Sequence, residues 1–382
     1  MRLQDLSVRT LALVATFLLV LIASTTPIAG GASRVSVPFT PSLIARAGQT
    51  SVLYVVSQST ACAERECMRL ERSNDGGRTF FTVSMPPVTN IRGMNVPPIS
   101  GLFFANPNVG YAEEYASTGT KWATSALFAT FNGGRTWRAV AITPHPSIYG
   151  FAASSQYFYA LTEECTAKGK CTDDELSRSR VGTTKWTQVS QPRAIRNYSD
   201  DLQIAAFDSS VWLTTQQKPS APYSSYLATS VNAGRSFTVK AQPLFQSANE
   251  CDVQPASSTV VWAECDDGMM QGDILYSNDG GDQFGVSPHG RLARFGFGVF
   301  DAVSPDAAYF INEQYPRTLF RTTSGSANAR LTGTLPNNFY WFQLEMTSGP
   351  NGLALSDGPG GSNLYVLWRT VDSGRQWSRV SI

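Results

Sequence analysis

Only two histidines occur in the 382 residues, His145 and His289, and both lie in proline-flanked stretches, TPHPS and SPHGR. The side chain that most often serves as a catalytic base is therefore scarce, and no GxSxG accompanies it, so a serine–histidine–aspartate arrangement has no support. Neither CxxC nor HxxxH spacing is present, so no metal site and no cofactor are expected. Basic runs are missing as well. With 30 Lys+Arg against 29 Asp+Glu the formal net charge is +1, too weak a field to recruit nucleic acid. Long helical periodicity is absent, and the apolar residues come in short β-rich runs.

The one long apolar stretch is at the start. Arg2 and Arg9 precede LALVATFLLVLIAS (Leu11 to Ser24), which is short for a membrane span, and Pro27 to Ala32 supplies small residues for cleavage. Residues 1–32 therefore read as a secretory signal peptide and residues 33–382 as the mature chain, secreted or otherwise extracytoplasmic. An uncleaved signal anchor is the alternative, and the only route to a membrane. Six cysteines fit that address, because export permits disulfides. Their number leaves the connectivity open, but they fall into three near pairs: Cys62 with Cys67, Cys165 with Cys171, and Cys251 with Cys265.

The mature chain is punctuated by one recurring turn. RSNDGGRTFF at Arg72 returns as TFNGGRTW at Thr130, SVNAGRSF at Ser230, SNDGGDQF at Ser277 and TVDSGRQW at Thr370. One position of the pattern, which opens at Ser73 in the first copy, holds Asp75, Asn132, Asn232, Asp279 and Asp372. Another holds Gly77, Gly134, Gly234, Gly281 and Gly374, and an aromatic closes it: Phe80, Trp137, Phe237, Phe284 or Trp377. A short Asp or Asn side chain can accept backbone N–H groups and close the turn from the side. Glycine supplies the positive φ, and the aromatic opens the outgoing strand and buries apolar area. Two degraded copies, SRVGTTKW at Ser179 and TTSGSANA at Thr322, complete a series whose starts are 45 to 57 residues apart.

Such a period, with about four short strands per unit, is the signature of a propeller blade. The expected fold is all-β: a single seven-bladed β-propeller of four-stranded antiparallel blades, monomeric. Because all four strands of the last unit come from one segment, Arg34 to Phe39 is a candidate for an extra strand at the ring closure.

The turn resembles the Asp-box, or BNR, repeat (SxDxGxTW) of sialidases, xyloglucan-degrading glycosidases, sortilin-type receptors and photosystem II assembly factors. The resemblance implies that the box joins the third and fourth strands of a blade, on the face away from the usual binding site, with a structural role. A sialidase would grip its substrate with three arginines and use Tyr, Glu and Asp. Arg92, Arg196 and Arg294 precede the first strands of three units, and Tyr149, Tyr198 and Tyr340 lie near first-strand starts. No Arg-Ile-Pro-type motif accompanies them, and seven units are counted where that family has six. The photosystem assembly factors are seven-bladed, exported scaffolds in which a basic patch is implied, here Arg92, Arg193, Arg196, Arg291 and Arg294. A xyloglucanase would need two facing carboxylates, usually between two propellers, and only one propeller fits.

Carboxylates gather at or just beyond second-strand ends: Glu113, Glu114, Glu163, Glu164, Glu264, Asp266, Asp267, Glu313 and Asp357. They suggest an acidic rim around a partly basic centre, opposite the boxes. The expected function is a non-catalytic binding or scaffold module for a protein or glycan partner, with Arg92, Arg196, Arg294, Glu113, Glu164 and Glu313 as candidate contacts. The alternative is a sialidase-type hydrolase.

Overall fold

The chain forms seven sheets of four antiparallel strands, each sheet built in sequence order from one segment. The computed structural model describes residues 39–59, 68–87, 99–116, 124–142, 147–163, 175–189, 202–215, 226–240, 250–266, 272–286, 299–312, 317–323, 326–336, 340–358 and 365–382. Among these no helix occurs, and all seven sheets fall within one compact unit, Val37–Ile382. We number the sheets as blades 1 to 7 in chain order. Their first strands are Thr40–Arg46, Ile99–Phe104, Ser147–Ala153, Leu202–Phe207, Glu250–Pro255, Phe300–Ser304 and Trp341–Met346. Each packs beside the next, and Trp341–Met346 packs beside Thr40–Arg46, so the first strands form a closed inner ring. This is the expected seven-bladed propeller.

Second strands show why the blades stack. Leu53–Gln58, Ser210–Thr215, Ala307–Asn312 and Gly352–Asp357 are buried along nearly their whole length, because both sheet faces are covered. Side chains alternate by two along a strand. Tyr54 and Val56 therefore join the core shared with blade 2, while Leu53 and Val55 join the core shared with blade 7. Seven such cores, one between each pair of successive blades, replace a single centre. Fourth strands such as Phe81–Val83 and Arg138–Val140 are short and exposed, which limits edge-to-edge pairing.

The repeated turn joins third and fourth strands. In blade 1, Ser73 Oγ accepts from Gly77 N at 2.7 Å and donates to Asp75 Oδ1 at 2.8 Å. Asp75 Oδ1 also accepts from Thr79 N at 2.9 Å, and Oδ2 accepts from Thr79 Oγ1 at 2.7 Å. Thr130 and Asn132, Ser230 and Asn232, Ser277 and Asp279, and Thr370 and Asp372 repeat the core of this pattern. Where the acid is an amide the polarity inverts: Asn132 Nδ2 donates to Thr136 Oγ1 at 2.8 Å. A hydroxyl serves either partner, which is why both residue types fill one position.

These turns also clamp neighbouring blades. Gly77, Gly134, Gly234, Gly281 and Gly374, with φ between 76° and 94°, lie against Leu353, Val83, Leu176, Leu227 and Leu319 of the preceding blade. The closing aromatics Phe80, Trp137, Phe237, Phe284 and Trp377 pack into the same inter-blade cores. Arginines on third strands complete the contact: Arg72 reaches Gly133 O, Arg178 reaches Ala233 O, and Arg369 reaches Arg78 O at 3.2 Å. In blade 4 a second-strand residue does this work, Trp212 Nε1 donating to Gly280 O at 2.9 Å.

The two degraded copies part company. At Ser179 the turn survives in shorter form, with Gly182 at φ 87° and Trp186 against Tyr111 of blade 2. At Thr322 the box is lost: Thr323 pairs with Ser326, and the fourth strand lengthens to Ser326–Thr334. Cys251 and Cys265 are directly opposed in register on the first and second strands of blade 5 and form a disulfide, as expected. Among the described residues no strand is exchanged between the ends of the ring: blade 1 starts at Thr40 and blade 7 ends with Ser378–Val380. Phe39 lies outside any strand, and residues 34–38 lie outside the described residues.

Candidate functional site

The inner ring encloses an axial cavity of about 770 Å³ whose lining comes from the first strands of all seven blades. Residues two apart on these strands share a face, and the pairs differ from one side of the ring to the other. Blades 5 and 7 place Asp252 with Gln254, and Gln343 with Glu345, along the lining. Blades 2 and 4 place Phe103, and Ile204 with Ala206, there. An added Cβ at Gly101 would strike the Phe103 ring, so glycine is what lets that ring lie back along its own strand. The channel thus has a polar wall and an apolar wall.

The one arginine that lines it among the described residues, Arg46, ends the first strand of blade 1. It reaches past blade 7 to Asp301 of blade 6, Nη2 meeting Oδ1 at 2.9 Å and Nη1 meeting Oδ2 at 3.3 Å. Arg46 also donates to Met346 O, and Met346 N donates to Asp301 Oδ2 at 2.5 Å. Glu345 stands 3.8 Å from Arg46 Nε. Burial raises both carboxyls, and in Glu345 the nearby charge of Asp301 adds to it while Arg46 opposes, leaving it at about 8. Asp301, holding the guanidinium and a backbone N–H, keeps the negative charge. Glu345 holds the proton at neutral pH.

Two other contacts cross the channel or its rim. Gln49, in the first turn of blade 1, donates to Ala256 O of blade 5 at 3.1 Å. These blades are not neighbours in the ring, so the side chain spans the axis. Register puts this end on the face that carries the repeated turns, because Leu53 pairs with both Arg46 and Ser73. Asp208, at φ 49°, accepts from Ser155 Oγ of blade 3 through Oδ1 and from Ser154 Oγ through its carbonyl. Asp252 makes no such contact. Loss of water on burial raises its carboxyl above the usual range.

The residues singled out in the sequence fare unequally. The repeated-turn residues form one class of structural corner. Glu113 is half-buried in the second strand of blade 2, opposite Gly101. Glu114 does not belong to a rim: it is fully buried, because the strand continues beyond it to Ala116 and keeps it inside the sheet. Tyr149 and Tyr340 are exposed, and Arg317 stacks 4.9 Å from the Tyr340 ring. Neither tyrosine lines the channel. Arg92, Arg193, Arg196, Arg291, Arg294, Glu164, Glu313, Tyr198, both histidines and Cys62, Cys67, Cys165 and Cys171 lie outside the described residues. The polar wall itself had only a faint signal in the sequence, a carboxylate or amide two apart within a β-rich run, as in CDVQP and FQLEM.

No family model matches the chain, and no curated protein matches it. Solved structures resemble it. YCF48 bound to a D1 peptide is 15% identical, with 72% of this chain and 74% of that chain covered and a TM-score of 0.44. The β-propeller domain of the trilobed protease from Pyrococcus furiosus, described as having an open Velcro topology, is 7% identical over 90% of this chain and 98% of that one, with a TM-score of 0.56. A polysaccharide lyase, the ulvan lyase of family PL25, is 9% identical over 90% and 96%, with a TM-score of 0.53. At such identities the likeness is one of fold, and the fold by itself does not fix an activity.

Proposed function

We propose that this chain is an exported propeller of the Asp-box kind that acts as a non-catalytic binding module for a protein or glycan partner, with the axial channel as the place of binding. The channel carries the reading. Its volume, about 770 Å³, lies within the range of roughly 300 to 1,000 Å³ usual for ligand sites. Among the described residues its lining holds one arginine, committed to Asp301, and no tyrosine. The hydrogen-bonded Ser/Thr and Asp/Asn corners support the Asp-box assignment. The apolar segment before Ala32 and the disulfide of blade 5 support export.

The test is an array of immobilised glycans and peptides probed with the chain from residue 33 and with an Asp252→Trp variant that fills the channel without removing a contact of the fold. Partners bound by the first and lost by the second are the expected result. A fluorogenic sialoside run alongside should show no turnover. Turnover that disappears in Arg196→Ala would replace this reading with the hydrolase. A reporter enzyme fused after residue 32 and active only outside the cytoplasm tests export.

A further inference from the structure

From the charges and walls of the channel we infer that its ligand is an organic cation with an apolar body: an ammonium or guanidinium group on the Asp252 side and a ring or alkyl chain against Phe103 and Ile204. The inference rests on the channel being the place of binding and adds the chemical class of what enters it.

Among the described residues four acids and one base line the cavity: Asp208, Asp252, Asp301 and Glu345 against Arg46. Two of the acids are already used. Asp301 holds Arg46 at 2.9 Å, and Asp208 accepts from Ser155. Asp252 has no hydrogen-bond or ion-pair partner among the described residues, although its exposed surface lines the channel. A carboxylate that lines a channel without a partner of its own is stabilised by an opposite charge brought to it. Gln254, two residues on, is committed to blade 6, its Nε2 donating to Phe300 O at 3.0 Å and its Oε1 accepting from Ala302 N at 2.9 Å. That neighbour is fixed and leaves Asp252 alone. Glu345 adds a second carboxyl to the same wall two blades on. Among the described residues an anion would meet these groups with no free cation, since Arg46 is taken. A neutral polar ligand would leave the charge unmatched, and a bare metal ion would leave the apolar wall unused.

The probe is a series that varies one property at a time: phenethylamine, 2-phenylethanol, phenylacetate and ethylamine, titrated calorimetrically into the full mature chain at pH 7. Phenethylamine should bind at least tenfold tighter than each of the others, as expected for a charge-assisted contact out of bulk water. In Asp252→Asn that preference should fall to less than threefold, while the thermal midpoint stays level because no contact of the folded chain is removed. Equal binding of the amine and the alcohol, or a preference retained in Asp252→Asn, would overturn the ligand class but leave the channel as a binding place. Failure of all four to bind would overturn the ligand class as well, while the glycan and peptide array decides the channel reading.

Discussion

Arg46 of blade 1 and Asp301 of blade 6 meet at 2.9 Å across the end of blade 7, whose Met346 is bonded to both. Three blades are thus tied at the one junction where no covalent segment links neighbours. Arg46→Met would leave Asp301 buried without its cation, and the expected cost is about 3 to 5 kcal/mol. Adding Asp301→Asn should recover a large part of it, because the unpaired charge is then gone. Urea denaturation of the single and double variants measures both effects.

Glu345 supplies a pH test. Its carboxyl is raised to about 8, chiefly by burial, so between the ordinary carboxylate range and pH 8 the folded chain holds a proton that the unfolded chain has released. Stability from this group is therefore complete below about pH 4.3 and falls as pH climbs to 8, with a slope of at most about 1.4 kcal/mol per pH unit. Glu345→Gln should flatten that decline. Thermal midpoints of the two proteins from pH 5 to 9 decide it, and parallel curves would refute the assignment of the proton.

Asp75 behaves in the opposite sense. Slight desolvation works against its ionised form, but the Thr79 hydroxyl and backbone N–H, Ser73 Oγ and Arg78 N hold the carboxyl down at about 2. Its contribution is present above the usual carboxylate range and is lost as pH falls towards 2. Asp75→Ala should cost about 1 to 2 kcal/mol at neutral pH through the lost hydrogen bonds. Asp75→Asn should cost little, since Asn132 and Asn232 already fill that position, and should remove the acid dependence.

Two glycines separate backbone strain from crowding. Gly182 has φ 87° with nothing within 4 Å of an added Cβ, whereas at Gly374, φ 86°, that Cβ would strike Leu319. Gly182→Ala should lose about 1 to 2 kcal/mol, the cost of left-handed backbone alone. Gly374→Ala should lose distinctly more and disturb the blade 6–blade 7 core. Equal losses in denaturant titrations would count against the clamp role of the repeated turn.

The fold was legible because its corners are made locally. Ser73, Asp75, Gly77 and Phe80 lie within eight residues, and each does something a neighbour in sequence requires. The blade 6 corner escaped the pattern because a strand pairing, Thr323 with Ser326, took over the work of the side chains. The channel was far less legible. Arg46 and Asp301 are 255 residues apart, and nothing near either names the other. Burial of Glu114 was hidden for a related reason: a charged pair at a strand end looks the same whether the strand stops or runs on.

The seam between blades 7 and 1 has a mechanical consequence. Apolar contact around Ile44, Leu53, Leu353 and Leu355, the bond from Ile44 N to Gln343 Oε1 at 2.9 Å, and the Arg369 and Arg46 contacts hold it, and among the described residues no sheet crosses it. A circle fastened this way behaves like a split washer: it can spring at one place with every blade intact, and the polar wall of the bore lies beside the slit.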